Sequence, residues 1–591
     1  MRFSRLRDLK FPGLLGATLF AWGVVANSLS AATFIVGAGG APCTHATLAA
    51  AVAAAQANGP GDDTIRLAVP SLTLAATLDI NDHGVLIFGG YSSCSAATAT
   101  GTTTITGGGA TDGIWLHGAA SDYRSFVLSR VDLDMQASGR RALRIEGLFA
   151  ALVQRSVVHG GTATDGANLY ISGAALVYVS EFSDIRNGLA TGNGGGIYCA
   201  GGASVELQSG AWLRNNQASG SGGGIYADDC SFKATSGTPT GERIEIRDNS
   251  SGSQGGAIAA VNGSSVVLSG RWGAFNNTVF FHQNNAWVVG GAIYLLNSTA
   301  TLRNVWLDAN GAQTGGGLFV SLSSTLTMDV DEATCSQPRD CSRMRYNYIA
   351  QQPGSGGGSA IAVAGTGTAI IRQTRVHDHL SVDGSPGPAG ATLGSGATLS
   401  FEGCEFFRNG GFAPGDPEVS RFFVKSGSTL KIAYSTIVDP VVTAGIGAIK
   451  SEAGATVRLF SSIILTGRTF ETGSGVSASS IFDCDIVSET ASMPSGGTFV
   501  VAYPFPEFLF TDAGNDDFSL LPTALAIDYC DDFNAPPTDS DVDNQVRGFN
   551  APVADNIGTF DLGADEWMEA GALFWDGFET GNTSRWSAVV P

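Results

Sequence analysis

Hydrophobic and polar positions alternate along much of the chain in short runs. SVELQSGAWL (204–213), SSVVLSG (264–270), STATLRNVWL (298–307), STLTMDV (324–330) and ATLSFEGCEF (397–406) interleave Val, Leu, Ile, Phe and Trp with polar residues. A period of two is that of a half-buried β-strand, and runs this short do not suit helices. Helical spacing occurs near 46–57, ATLAAAVAAAQA.

Two motifs recur between these runs. The first is Gly-Gly followed by a small residue and an aliphatic: GGGIY at 194–198 and 222–226, GGAIA at 255–259, GGAIY at 290–294, GGGLF at 315–319, and a looser GGGSAIA at 356–362. The second ends in Asn: IRNG at 185–188, LRNN at 213–216, IRDN at 246–249, FNNT at 275–278, LDAN at 307–310 and FRNG at 407–410. The two stay in step. Asn187 precedes Ile197 by ten residues, Asn215 precedes Ile225 by ten, Asn249 precedes Ile258 by nine and Asn310 precedes Leu318 by eight. Asn276 to Ile293 is seventeen, which reads as a loop insertion, and a second insertion falls between Asn347 and Ile361. A period of this size with insertions at one phase marks a solenoid.

The expected fold is therefore all-β, a right-handed parallel β-helix with a cap at each end. Each coil adds short strands that pair with the coils before and after at about 4.8 Å. Parallel connections are right-handed in nearly all cases. Inward aliphatics form one core, Gly pairs supply corners, and Asn tolerates the left-handed region and stacks on Asn of the next coil. Open solenoid ends invite aggregation and so need capping. The expected divisions are a signal peptide at 1–31, an N-terminal cap at 32–99, the helix at 100–505, a C-terminal cap at 506–567 and a tail at 568–591.

Composition supports this reading. Glycine makes up 80 of 591 residues, nearly twice the usual ~7%. With 43% hydrophobic residues there is ample surface to bury, which argues against disorder. The net charge of −21 disfavours nucleic acid and anionic lipid as partners. Arg2, Arg5, Arg7 and Lys10 precede an apolar stretch at 11–25 and the small residues NSLSAA at 27–32, the layout of a cleavable export signal. No later apolar run is long enough to predict a membrane span. Nine cysteines without a CxxC pair point to disulfides, not zinc. Cys335 with Cys341, Cys199 with Cys230 and Cys43 with Cys94 are the expected pairs, and the odd count leaves one over.

The alternating GGAI and Asn motifs over about 185–410 resemble the repeats of polymorphic outer membrane proteins, the passengers of autotransporter adhesins. About 80 residues follow the last strand runs, so no translocator barrel is expected. The blocks DFSLLPTALAIDYCDD (517–532), DVDNQVRG (541–548) and FDLGADE (560–566) are similar to the ending of bacterial secreted β-helix proteins with variable surface anchors. FWDGFETGNTSRWS (574–587) resembles a terminal motif of exported Gram-negative proteins and reads as a sorting or anchoring tail, or as one more strand sealing the cap. These resemblances imply an exported protein, secreted or at the outer cell surface of a Gram-negative bacterium.

Many β-helices are polysaccharide lyases or glycoside hydrolases, whose chemistry needs paired acids, or calcium with a basic proton acceptor. The sharpest constellation is VHDHLSVDG (376–384), with His377, Asp378, His379 and Asp383; His377 and His379 are expected on one strand face. Alternating histidines on a strand are more often plain surface residues. Asp228 and Asp229 follow GGGIY, and Asp331 with Glu332 follow a strand; each pair fits a solvated turn as well as an acid site. Asp539, Asp541 and Asp543 have the opening spacing of a calcium loop, but Asn544 stands where its glycine belongs and Asn550 where its acid belongs. Tyr198, Tyr226, Tyr294 and Phe319 recur after the Gly pairs, either lining a sugar groove or packing under loops. No cofactor is expected beyond that calcium. Two functions follow: a non-enzymatic, adhesin-like surface protein that binds glycans or proteins, or an extracellular lyase or hydrolase. Convergence of three or four acids, bases or arginines in one groove separates the second from the first. The register itself is testable by thermal melting. Ile225→Asp places an unpaired charge in the core and lowers the melting temperature strongly; unchanged melting contradicts the inward placement.

Overall fold

The computed structural model describes residues 31–568 except 60, 108–111, 138–139, 237–241, 272–277, 336–337, 350–356, 382–389, 412–421, 439–446, 495–496, 499, 504, 532–539, 544, 546 and 552–557. The expected signal peptide and the tail beyond Met568 lie outside them. The chain forms two compact units, Met1–Leu326 with Ala333–Ser336, and Thr327–Glu332 with Gln337–Pro591. Each is right-handed parallel β-helix built from four all-parallel sheets.

One coil of the first unit shows the plan. Ile197–Ala200 belongs to sheet 1, Ser204–Gln208 to sheet 2, Trp212–Arg214 to sheet 3 and the two-residue Gln217–Ala218 to sheet 4. The next coil repeats it with Ile225–Asp228, Ser231–Thr235, Ile244–Arg247 and Ser250–Ser251. Ile197, Ile225, Ile258, Ile293 and Leu318 face one another in register and are all fully buried. The period-two runs behave as expected: Val205 and Leu207 point inward while Ser204, Glu206 and Gln208 lie outside.

The Gly pairs have distinct physical jobs. Gly222 has φ +69°, a left-handed conformation that side chains resist. A Cβ on Gly223 would sit 2.3 Å from the Ser250 carbonyl oxygen, so only glycine lets adjacent coils approach.

Inside the corner between sheets 3 and 4 runs a column of buried asparagines: Asn216, Asn249, Asn284 and Asn310. Asn249 is representative. Its Oδ1 accepts from the Asn216 backbone N–H at 3.1 Å and from Asn216 Nδ2 at 3.0 Å. Its Nδ2 donates to the Leu213 carbonyl at 2.9 Å and to Asn284 Oδ1 at 3.0 Å. Asn284 repeats the pattern with Asn310. The residue before each column member is left-handed: Asn215, Asp248, Gln283 and Ala309 have φ from +53° to +54°. This corrects the motif register. FNNT lies largely outside the described residues, and the Asn of that coil is Asn284, nine residues before Ile293. The seventeen-residue gap is therefore no insertion at this corner; the extra residues precede Val279–His282.

At the N-terminal end, the helix Leu48–Ala57 buries Leu48, Ala51, Val52 and Ala55 and is capped by Thr47, whose side chain accepts from the Ala50 N–H. Strand pairing begins earlier than residue 100: Asp62–Leu67, Ser71–Leu74 and Leu78–Asn81 already pair into sheets 2, 3 and 1. Cys43–Cys94 and Cys199–Cys230 are bonded in this unit.

In the second unit, sheet 3 comprises Arg343–Arg345, Arg375–His377, Glu405–Phe407, Thr436–Val438, Ile463–Leu465, Ile486–Val487 and Val501–Ala502. Its outward residues change from charged to apolar along the sheet. There the C-terminal cap lies on it, packing Leu509, Phe510, Phe518 and Leu520 against Phe407, Val438, Ile463 and Leu465. An antiparallel hairpin, Phe510–Asp512 with Asp517–Leu520, belongs to this cap. Cys484 is bonded to Cys530, and buried Cys404 is the free thiol; Cys335, in the first unit, and Cys341, in the second, are each disulfide-bonded.

The asparagine column predicts a large, position-specific stability effect. Asn249→Ala leaves buried partners unsatisfied at about 1–3 kcal/mol each, so the expected loss is at least about 3 kcal/mol by chemical denaturation. Asn262→Gly, at an exposed left-handed turn, is expected to change stability by less than about 1 kcal/mol.

Candidate functional site

Strand geometry separates the two candidate histidines. His377 ends the sheet 3 strand Arg375–His377 and faces outward, with its ring stacked on Phe407 at 4.6 Å. Asp378 is left-handed, φ +55°, which turns the chain so that His379 points inward. The two do not share a face. His379 is fully buried and takes the corresponding corner position in the second unit, between Asn347 and Asn409: its N–H donates to Asn409 Oδ1 at 3.1 Å, and its Nδ1 lies 3.2 Å from the Asn347 carbonyl. Burial drives its pKa down to about 3, so the ring is neutral.

Outside, His377 Nδ1 lies 2.7 Å from Asp378 Oδ2, and Arg408 donates to both Asp378 oxygens at 2.8 Å. Arg408 also pairs with Asp516 of the cap. Burial pushes Asp378 up, but the hydrogen bonds from His377 and Arg408 outweigh it and hold the carboxyl well below its usual range. Burial lowers the His377 pKa despite the Asp378 contact. Asp383 lies outside the described residues.

Next to this pair is a larger network that sequence reasoning missed. Arg339 lies 2.9 Å from Asp543, 3.1 Å from Asp517, 3.4 Å from Asp565 and 3.6 Å from Glu405, while Arg375 lies 2.9 Å from Glu405. Glu405 is fully buried on the outer face of sheet 3, and the three aspartates belong to the cap. Burial raises the Asp543 pKa to about 6, against the pull of Arg339. The network is the polar part of the seam whose apolar part is Phe407, Val438, Ile463 and Leu465. Its residues lie scattered over 339–565, so no local motif announces it.

The expected calcium residues are divided within the same cap. Asp541 Oδ1 accepts from the Asp543 and Gln545 N–H groups, and its Oδ2 accepts from the Glu566 N–H at 2.8 Å. Asp543 faces Arg339. Two of the three carboxylates therefore face donors instead of one shared point, and Asp539 lies outside the described residues. Among the described residues no group of three His, Cys, Asp or Glu is placed to hold a metal ion. Asp228 ends its strand and accepts from Asn262 Nδ2 at 2.8 Å, whereas Asp229 is exposed at a left-handed corner with φ +53°. The pair lies at two different positions of the turn, not side by side on one face.

The aromatics after the Gly pairs do come together. On the outer face of sheet 1, Tyr170, Tyr198 and Tyr226 are in register on successive coils. Their rings stack with centroids 5.1 Å and 5.4 Å apart and planes within 1° and 17° of parallel. Arg141 lies over Tyr170 at 4.7 Å. Two coils beyond Tyr226, Tyr294 stacks on Phe319 at 5.8 Å. Burial, then Asp228 and the neighbouring tyrosines, push the Tyr198 hydroxyl up to about 12, so it stays protonated as a donor.

The chain matches no protein-family model, and no curated protein matches it. Among the described residues no helix is long and apolar enough to cross a membrane.

His379 supplies a pH test. Its folded pKa lies below the unfolded ~6.5, so its neutral burial stabilises the fold above that pH and the contribution is lost as pH falls toward 3. In His379→Asn, which restores the residue used by the other coils, denaturation midpoints are expected to fall less between pH 7 and pH 4 than in the wild type. An identical fall would contradict the neutral, buried histidine.

Proposed function

We propose that the protein is an exported, non-enzymatic surface protein of the adhesin type, which uses the outer faces of its β-helix to bind glycans or proteins. The observation that carries this reading is the tyrosine column of sheet 1. Stacked aromatics on neighbouring strands support the sheet by about 0.2–1 kcal/mol per pair, and here the same column also leaves partly exposed phenol rings on the solvent face. Repetition at the coil spacing makes an extended surface of rings and phenol donors, suited to a repeating or elongated ligand. The resemblance of the repeats to polymorphic outer membrane protein passengers supports export and a place at the cell surface.

The lyase or hydrolase reading has one point in its favour, the meeting of His377, Asp378 and Arg408. Against it, the Asp378 carboxylate is engaged by both neighbours and the surrounding arginines and acids join sheet 3 to the cap. A catalytic acid or base needs a free position for substrate.

The expected result with the purified exported chain is retention on a polysaccharide or protein ligand without release of reducing ends or unsaturated products from pectin, alginate or uncharged glycans. Product release that is lost in Asp378→Asn would replace this reading with the enzymatic one.

A further inference from the structure

At the corner leading from sheet 4 into the Gly pair of sheet 1, successive coils of the first unit carry Thr191, Ser219, Gly252, Trp287 and Gln313. Four are small or polar. Trp287 is 69% exposed and the adjacent Val288 is 38% exposed. A tryptophan left in water forgoes the burial of a large apolar side chain. Scattered exposed apolar residues are ordinary, but this one stands beside an apolar stretch of sheet 1. Val289 packs against Ala259, Val261 and Tyr294, and Tyr226, Leu296 and Phe319 pack on the same cluster. The tyrosine column thus meets an apolar cluster in which Ala259, Val261 and Tyr294 are buried and Tyr226, Val289, Leu296 and Phe319 are partly exposed, and Trp287 stands two residues before Val289 in the chain.

We propose that this strip, anchored by Trp287 and continued by the partly exposed Tyr226 and Phe319 on either side of the buried Tyr294, is a binding site for an uncharged polysaccharide chain. The inference rests on the surface-binding reading above and names its ligand class and place. Three features select that class. An indole with open faces stacks on the apolar face of a pyranose ring, and aromatic contacts of this kind require no charge. The partly exposed Tyr198 and Tyr226 phenols and the Asp228 carboxylate beside them supply donors and an acceptor for hydroxyl groups. Asp165 and Asp228 beside the tyrosines, on a chain of net charge −21, repel uronates and sulfated glycans.

The test is isothermal titration of the full exported chain with a soluble β-glucan, a mannan and polygalacturonate, comparing wild type, Trp287→Ala and Phe182→Ala. Phe182 is 56% exposed at a different corner and serves as the control. The expected outcome is binding to at least one uncharged glycan, weakened tenfold or more in Trp287→Ala, unchanged in Phe182→Ala, and weaker or absent with polygalacturonate. Binding that is equal in wild type and Trp287→Ala overturns the site while leaving the surface-binding reading standing. Tighter binding to polygalacturonate overturns the ligand class. Absence of binding to all three overturns both the site and the glycan part of the broader reading. Trp287-dependent self-association without glycan assigns the strip to a second copy of the chain and overturns the proposal. Matching melting temperatures establish that the variants remain folded.

Discussion

The architecture depends on one constraint: consecutive coils must stack without slipping. Backbone pairing alone tolerates a register shift, because every strand offers the same row of donors and acceptors. The asparagine column removes that freedom. Each amide engages the backbone of one coil and the side chain of the next, so a shift by one residue breaks several buried hydrogen bonds at once. The Gly pairs act with it, because the second glycine of each pair admits a neighbouring carbonyl that any Cβ would block. With register fixed, an outward side chain repeated once per coil becomes an aligned column.

This explains how the same scaffold carries two kinds of outer surface. In the second unit, the outward residues of sheet 3 pass from Arg375 and His377 through Glu405 and Phe407 to Ile463 and Leu465, and the apolar portion is covered by the cap. In the first unit, the outward residues of sheet 1 include Tyr170, Tyr198 and Tyr226, whose rings stack on one another. The polar seam around Arg339 looks like catalytic machinery when its residues are named without their positions. In place, each acid is answered by an arginine or by backbone N–H groups, which is how a buried charge is made tolerable.

Much of the fold was legible in the sequence because its determinants are local and repeated. The inward placement of Ile225, the helix over 48–57 and the pairing of Cys199 with Cys230 all follow from short-range spacing. The Asn284 coil was misread because FNNT imitates the motif a few residues upstream, and a spacing rule cannot tell which asparagine is turned inward. His379 was misread for a related reason: the left-handed Asp378 between the two histidines breaks strand alternation, and a φ value is not written in residue type. The cap seam was invisible because Arg339 and Asp565 are brought together only by the tertiary fold. The aromatic column was visible as recurrence, but whether its rings met depended on the same register.

Amide hydrogen exchange across the first unit tests the register argument most directly. The N–H groups of Asn216, Asn249 and Asn284, each donated to the side chain of the following coil, should exchange only through global unfolding of that unit. They should be slower than the N–H groups of the exposed corners at Asp229 and Trp287. Exchange of the column amides at the rate of those corners would mean that coils open or slip locally, and would contradict an axial column that fixes the register.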